Sequence, residues 1–288
     1  MISIPSTKPG LICASVVSAD SLSEYLILKE TIELFYSVTW FIASDNLVHD
    51  RLKINTNINC FPVIHHPPGT HGINNIEENS LHMSLMMKKF SACHRALLLH
   101  DYVLLLDSDM IFCSPFPENL YIQITQPCVD AIVSPHFTED YELESKVGRY
   151  NGGMICVKSV DFLNTWLQLS LKANENNWYY EQQPIEYAAQ VYLTTQFPIY
   201  CNIGWWRMNN IKTRQRFESL ELIDNQLYFL GQKAVCFHLH SIKRLPYSNY
   251  GSFLFERLIE IMLSSSSHAH KAILNAMSTV ISNTWLSI

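Results

Sequence analysis

The 288-residue chain has no apolar run near the roughly 18 residues that a membrane helix requires. Its N-terminus, Met1-Ile-Ser-Ile-Pro5, lacks the basic stretch and apolar core of a secretory leader, so the expected setting is a cytoplasm, the cell's own or a host's. Charge is also scarce. Only 16% of residues are charged and the net charge is −6, which argues against nucleic-acid binding through broad phosphate neutralisation. An anionic ligand must then be met by a few local cations. The eight cysteines (Cys13, Cys60, Cys93, Cys113, Cys128, Cys156, Cys201 and Cys236) form no Cys-x-x-Cys pair. Most sit in apolar runs such as Leu11-Ile-Cys-Ala14 and Val235-Cys-Phe237, which reads as buried thiols in a reducing compartment and leaves no spacing for a zinc cluster or disulfide frame. No internal repeat is present.

What is there is hydrophobic material: 48% of the chain, with 14 Tyr, 14 Phe and 6 Trp, enough for one large domain or two fused halves. Short apolar runs of strand length (11–17, 38–43, 60–64, 102–106) alternate with helical spacing over 23–36 and 80–99. A polar stretch runs to Asn59, and the loop His65-His-Pro-Pro-Gly-Thr-His-Gly72 reads as mobile, a candidate lid. Strand–helix alternation predicts an α/β protein with a mostly parallel, Rossmann-like sheet. Further on, 130–134, 153–157 and 235–240 read as strands, and 160–172, 182–192 and 253–263 as helices. After Ser264-Ser-Ser-Ser267 a terminal amphipathic helix starts near Ala269. It is suited to docking on the body or on a second copy; with Lys271 as its one basic residue, a membrane role is the weaker option.

The strand at 102–106 ends in Asp107-Ser108-Asp109. Residues i and i+2 of an extended segment share a side, so the two carboxylates are expected together where a parallel sheet binds ligands, outside the carboxyl ends of its strands. Hard oxygen ligands there suit Mg or Mn held with substrate phosphates. The competing reading is that both acids merely end the strand and cap a turn. Other segments carry similar pairs of readings. Asn151-Gly152-Gly153 is either a tight turn or a place where backbone approaches a ligand closely. Glu181-Gln182 either favours a helix dipole or faces a substrate. His238 and His240 share a strand face, and either can ligate a metal. Trp205-Trp206 is either a stacking platform for an acceptor ring or core packing.

Taken in order, Asp20, Lys88-Lys89, Asp107-Ser108-Asp109, Asn151-Gly152-Gly153, Glu181-Gln182 and His238 with Lys243 resemble the retaining GT-A glycosyltransferases, most closely the glycogenin and lipopolysaccharide galactosyltransferase family, glycosyltransferase family 8. The resemblance covers roughly residues 11–250. Glu181 stands where that family has Asp, and the family's Gly and Pro-Trp around the final Lys are missing from 238–246. The resemblance implies a GT-A domain over 1–250, with a nucleotide-sugar half (1–115) and a smaller acceptor half (116–250), and a helical extension over 251–288. It implies metal-dependent transfer of a sugar from a nucleotide-diphosphate donor, a UDP-hexose, to a hydroxyl of a glycan, lipid-linked glycan or protein, with retention. The metal set would be Asp107, Asp109 and His238. Asp20, Lys89, Ser108, Asn151, Gly152 and Lys243 would meet the donor, Asp20 reaching the base with Tyr25 beside it, while Gln182, Glu181 and Asp109 would serve the reaction. Two other classes compete: a haloacid dehalogenase-type phosphatase, which also ends an apolar strand in Asp-x-Asp, and a non-catalytic sugar-nucleotide or glycan-binding protein on the same fold.

Overall fold

A computed structural model describes residues 8–63, 84–138, 140–204, 206, 220–239 and 249–285. Strands β1 (Gly10–Val17), β2 (Ser37–Ser44), β3 (Ile58–Pro62) and β4 (Val103–Leu106) are parallel, and β5 (Met110–Phe112) leaves their plane. With β6 (Ala131–Pro135), β7 (Tyr150–Val157) and β8 (Thr194–Gln196), the first four make one seven-stranded sheet in the order β3-β2-β1-β4-β7-β6-β8. Only β7 runs against its neighbours, antiparallel to both β4 and β6. The uninterrupted apolar runs follow from burial on two faces. Trp40, Ile42, Leu104 and Leu106 enter one core, while Phe41, Ala43, Val103 and Leu105 enter the other.

Helices cover both faces. Helix α1 (Leu22–Glu33) packs Tyr25, Leu28 and Ile32 into the first core. Helix α2 (Asn46–Leu52) occupies the segment expected to be merely polar; Asp45 caps it by accepting from Val48 N at 2.8 Å. Helix α3 (Lys88–Leu97) supplies Phe90, Cys93 and Ala96 to the second core. Helices α4 (Glu118–Thr125) and α5 (Tyr141–Val147) were not evident in the sequence because two turns offer too little periodicity. Helices α6 (Val160–Leu171) and α7 (Gln182–Val191) follow, close to expectation.

Two small sheets complete the fold. One joins β5, β9 (Ile203–Gly204) and β13 (Cys236–His238) in the order β5-β13-β9. The other is a meander of β10 (Glu221–Ile223), β11 (Gln226–Phe229) and β12 (Gln232–Lys233). Its turns at Asp224-Asn225 and Leu230-Gly231 hold all four residues at positive φ, the conformation a two-residue hairpin needs. Helices α8 (Asn249–Ser264) and α9 (His268–Trp285) dock on the body: Leu254, Leu258, Ile273 and Met277 share a third core with Ile27, Ile111 and Phe237. Of the two expectations for the terminal helix, docking on the body is seen at Ile273 and Met277.

Among the described residues no helix is long and apolar enough to cross a membrane. All eight cysteines are free thiols, Cys128 exposed, Cys60 partly buried and the rest buried. Burial pushes the Cys93 and Cys156 thiols up to about 12, away from thiolate chemistry. The candidate lid at 65–72, with His65, His66 and His71, lies outside the described residues, as do His240, Lys243 and Trp205.

Candidate functional site

The site is built where β4 ends. Asp107-Ser108-Asp109 forms the turn between β4 and β5, so its two carboxylates are gathered by a turn and not by the strand parity expected from sequence. Strand β7 supplies the facing wall. Its antiparallel course places its first residues beside the last of β4: Leu106 pairs with Met154, and Asp107 N donates to Gly153 O at 2.8 Å. Asn151-Gly152-Gly153 is therefore the beginning of a strand and not a turn leading into one. Strand β13 supplies the third wall. It pairs antiparallel with β5, His238 opposite Met110, and Leu239 N donates to Asp109 O at 3.0 Å.

These pairings bring Asp107, Asp109 and His238 together, with one ligand atom of each within 4.8 Å of the others. His238 Nε2 lies 3.0 Å from Asp109 Oδ1 and 3.8 Å from Asp107 Oδ2. Asp109 and His238 are buried, whereas the Asp107 side chain keeps 28% of its surface exposed and faces the opening. The space is kept by a glycine. A Cβ on Gly153 would stand 2.4 Å from His238 Cε1 and 2.9 Å from Asp107 Oδ2, so no larger residue fits between them.

Behind the carboxylates sits a buried lysine. Lys89 Nζ contacts Glu181 Oε1 at 2.8 Å, Asp107 Oδ1 at 2.9 Å and Gly152 O at 3.1 Å, which accounts for all three ammonium donors. Burial alone would depress its pKa, but the Asp107 and Glu181 carboxylates prevail and hold it above the ordinary lysine range. Lys89 was expected at the diphosphate. In this structure its donors meet Asp107, Glu181 and Gly152 O, so it braces two carboxylates. Glu181, itself buried, precedes α7, and its backbone O accepts from Trp166 Nε1 at 2.7 Å.

A second polar network adjoins the first. Asn151 Oδ1 accepts from Gly153 N at 2.9 Å and Asn202 Nδ2 at 3.0 Å, while Asn151 Nδ2 donates to Gln182 Oε1 at 3.2 Å. Gly152 N donates to the same Gln182 oxygen at 3.1 Å. On the far side His136 approaches Asn151 Nδ2 at 3.5 Å, and its Nδ1 donates to Gly148 O at 2.6 Å. Gly148 has φ +94°, and a Cβ there would stand 2.9 Å from the Gln183 Cα; this glycine lets α5 end against the start of α7. Trp206 Nε1 donates to His136 O at 3.1 Å, and its ring meets His238 edge-on at 5.0 Å. Its indole serves packing at the site wall.

The structure thus joins Lys89, Asp107, Asp109, Asn151, Gly152, Glu181, Gln182 and His238 in one cluster, with Ser108 buried in the turn. Asp20 is exposed in a 3-10 turn (Ala19–Ser21) just past β1, at the same end of the sheet as Asp107. Tyr25, expected beside it, is fully buried with its ring edge-on to Trp40 at 5.2 Å, a core residue. Lys88 is partly buried and makes no ion pair among the described residues. His136 and Asn202 escaped sequence reasoning. Neither belongs to a local motif, and only the strand order brings them to Asn151.

No protein-family model and no curated protein sequence matches the chain. Solved structures do. The galactosyltransferase LgtC, in complex with donor and acceptor sugar analogs, aligns over 89% of this chain and 97% of its own with a TM-score of 0.52 at 12% identity. The glycosyltransferase GlyE of Streptococcus pneumoniae TIGR4 aligns over 95% of this chain with a TM-score of 0.54 at 10% identity; the chain spans 64% of GlyE. At such identities the likeness establishes the fold, a mixed α/β GT-A arrangement shared with these glycosyltransferases.

Proposed function

We propose that the chain is a metal-dependent glycosyltransferase that moves a hexose from a UDP-sugar to a hydroxyl of a glycan, lipid-linked glycan or protein, with retention of configuration. The observation that carries this reading is the convergence of Asp107, Asp109 and His238 at the carboxyl end of β4, on a fold shared with glycosyltransferases. Two carboxylates and an imidazole fit Mn or Mg in donor chemistry, and the Gly153 cradle leaves the set its room. Bound there, the cation would offset the charge that grows on the departing diphosphate.

The protein's own groups complete the reading. Asp107 faces the opening, held from behind by Lys89. Glu181 is committed to the same lysine, which argues against its acting as nucleophile or base and for its orienting the start of α7. A glutamine amide is a weak nucleophile, so Gln182 favours displacement on the face from which the diphosphate leaves. The sugar–phosphate bond then breaks as the acceptor oxygen bonds to carbon, and a phosphate oxygen takes the acceptor's proton. Asp20, at the mouth of the sheet, is assigned to the base and Lys243 to the diphosphate; residues 1–115 would hold the nucleotide sugar, 116–250 the acceptor, and 251–288 serve as an extension.

The test is incubation with UDP-, GDP- and CMP-sugars under Mn and Mg, with release of the nucleoside phosphate as readout. Metal-dependent consumption of a UDP-hexose is expected. Neither transfer nor slow donor hydrolysis under any combination would overturn the proposal, and a melting temperature raised by UDP only with the metal would support it independently.

A further inference from the structure

Helix α3 lines a second cleft, on the face turned away from Lys89. Phe90, Ser91, His94 and Arg95 recur at helical spacing on that face, while Lys89 leaves the other side of the helix for Glu181 and Asp107. Helix α6 answers with Leu163, Asn164 and Leu167, and Phe61 of β3 closes one side. The cleft holds about 350 Å³, within the range of small-molecule sites. It is graded from floor to rim. Phe61, Phe90 and Leu163 are buried, and Phe90 meets Trp166 edge-on at 4.6 Å, so the bottom offers apolar surface. His94, Arg95 and Asn164 are exposed, and Ser91 is half-buried. Arg95 Cζ stands 3.9 Å from the centroid of the Phe61 ring, a contact that keeps the guanidinium in the cleft wall without using its five N–H donors. Among the described residues no carboxylate lines the cleft or pairs with Arg95.

From this grading we infer that the cleft between α3 and α6 is a binding site for a small organic monoanion, an aryl or short alkyl carboxylate, with its body on the apolar floor and its head on Arg95. The floor selects the body, because covering Phe61, Phe90 and Leu163 removes apolar surface from water. Arg95 selects the head. A guanidinium fork matches the two oxygens of a carboxylate, and Arg95 is the one permanently charged side chain of the lining, so it balances a single negative charge and leaves a phosphate dianion half compensated. The Ser91 hydroxyl and the Asn164 amide supply further donors beside it. The site shares a helix with the carboxylate cluster but none of its side chains, and it stands whether or not the chain transfers sugars.

The experiment titrates three probes into the full chain by calorimetry: 4-phenylbutyrate, which has body and head; 4-phenylbutan-1-ol, which lacks the charge; and inorganic phosphate, which lacks the body. Saturable binding of one 4-phenylbutyrate per chain is expected, with a Kd of about 1 mM or below, and each of the other probes should bind at least about tenfold more weakly. Two variants locate the site. Arg95→Gln, at an exposed position, should weaken 4-phenylbutyrate by about tenfold or more while leaving the alcohol unchanged. Leu167→Trp, which fills the cleft from α6, should abolish binding of the acid. Melting temperature is read for both; if Leu167→Trp does not fold, the exposed Arg95→Gln variant decides alone. Saturating UDP with Mn should leave the affinity for 4-phenylbutyrate as it is. No saturable heat in wild type, the alcohol as tight as the acid, equal affinity in wild type and Arg95→Gln, a folded Leu167→Trp that binds normally, or displacement of the probe by UDP would each overturn the assignment.

Discussion

The mouth of the large sheet and the cap made by α8 and α9 are both buried, and they are buried on opposite terms. The mouth hides Lys89, Asp109, Asn151, Glu181, Asn202 and His238, each nearly inaccessible to solvent. The cap hides Leu254, Leu258, Met262, Ile273 and Met277, and its buried polar side chains, His270 and Ser265, meet each other, Nδ1 to Oγ at 2.8 Å. At the mouth, stability depends on partners: a charge out of water is tolerable only while its counter-charge is in place. At the cap it depends on volume, where a lost methyl group leaves a cavity but orphans nothing. The two regions should therefore fail differently, and substitutions can separate them.

The sharpest break in the comparison is Asp109→Ala. Turnover should fall by about a thousandfold or more, roughly 4 kcal/mol of transition-state stabilisation. Initial rates over a Mn titration check it, and near-normal metal-dependent activity would contradict the site. Lys89→Met comes next, because it leaves Glu181 buried without its cation. A stability loss of about 3–5 kcal/mol is expected from urea unfolding. Adding Glu181→Met should recover much of that stability but not activity. A single variant as stable as wild type would show that the pair is not needed to hold the mouth together.

On the cap, Leu258→Ala should cost about 2–5 kcal/mol in the same assay while UDP affinity, read by titration calorimetry, stays unchanged; a large affinity change would join the two regions that the comparison separates. The smallest effect is pH-dependent. Burial, with Lys233 nearby, holds the His270 imidazole below its ordinary pKa. The folded state then prefers the neutral ring, so this contribution is complete above about pH 6.5, the unperturbed value, and is lost as pH falls through the depressed one. Replacing His270 by Gln should flatten the decline of the urea midpoint between pH 7 and pH 5, and an unchanged slope would assign the decline to other groups.

The cap was more legible in the sequence than the mouth. Helices α8 and α9 announce themselves by long apolar periodicity and the serine break between them. At the mouth, Asp107-Ser108-Asp109 was readable because four apolar residues end in two acids, and His238 because it closes the run Val235-Cys-Phe237. The direction of β7 was not. Alternation of side chains is the same for parallel and antiparallel strands, so nothing local to Asn151-Gly152-Gly153 tells that it lies against Asp107. The role of Lys89 was hidden for a related reason: a lysine on a helix reads as solvated until the strand order puts Glu181 and Asp107 on either side of it. Short-range patterns specify the elements, while the partners that make burial of charge tolerable come from topology.

The pairing of β5 with β13 sets a timetable. Asp109 and His238 are about 130 residues apart along the chain, and closing a loop of that length costs roughly 4 kcal/mol before any contact repays it. A nascent chain thus carries Asp107 and Asp109 long before His238 has been synthesised, and during refolding the cluster of the three waits for one of the longest closures in the fold. The same order runs backwards under stress. If β13 detaches from β5 while β1–β4 hold, the protein keeps most of its secondary structure while His238 leaves Asp107 and Asp109. Affinity for the proposed cation would then be a more sensitive gauge of its integrity than circular dichroism.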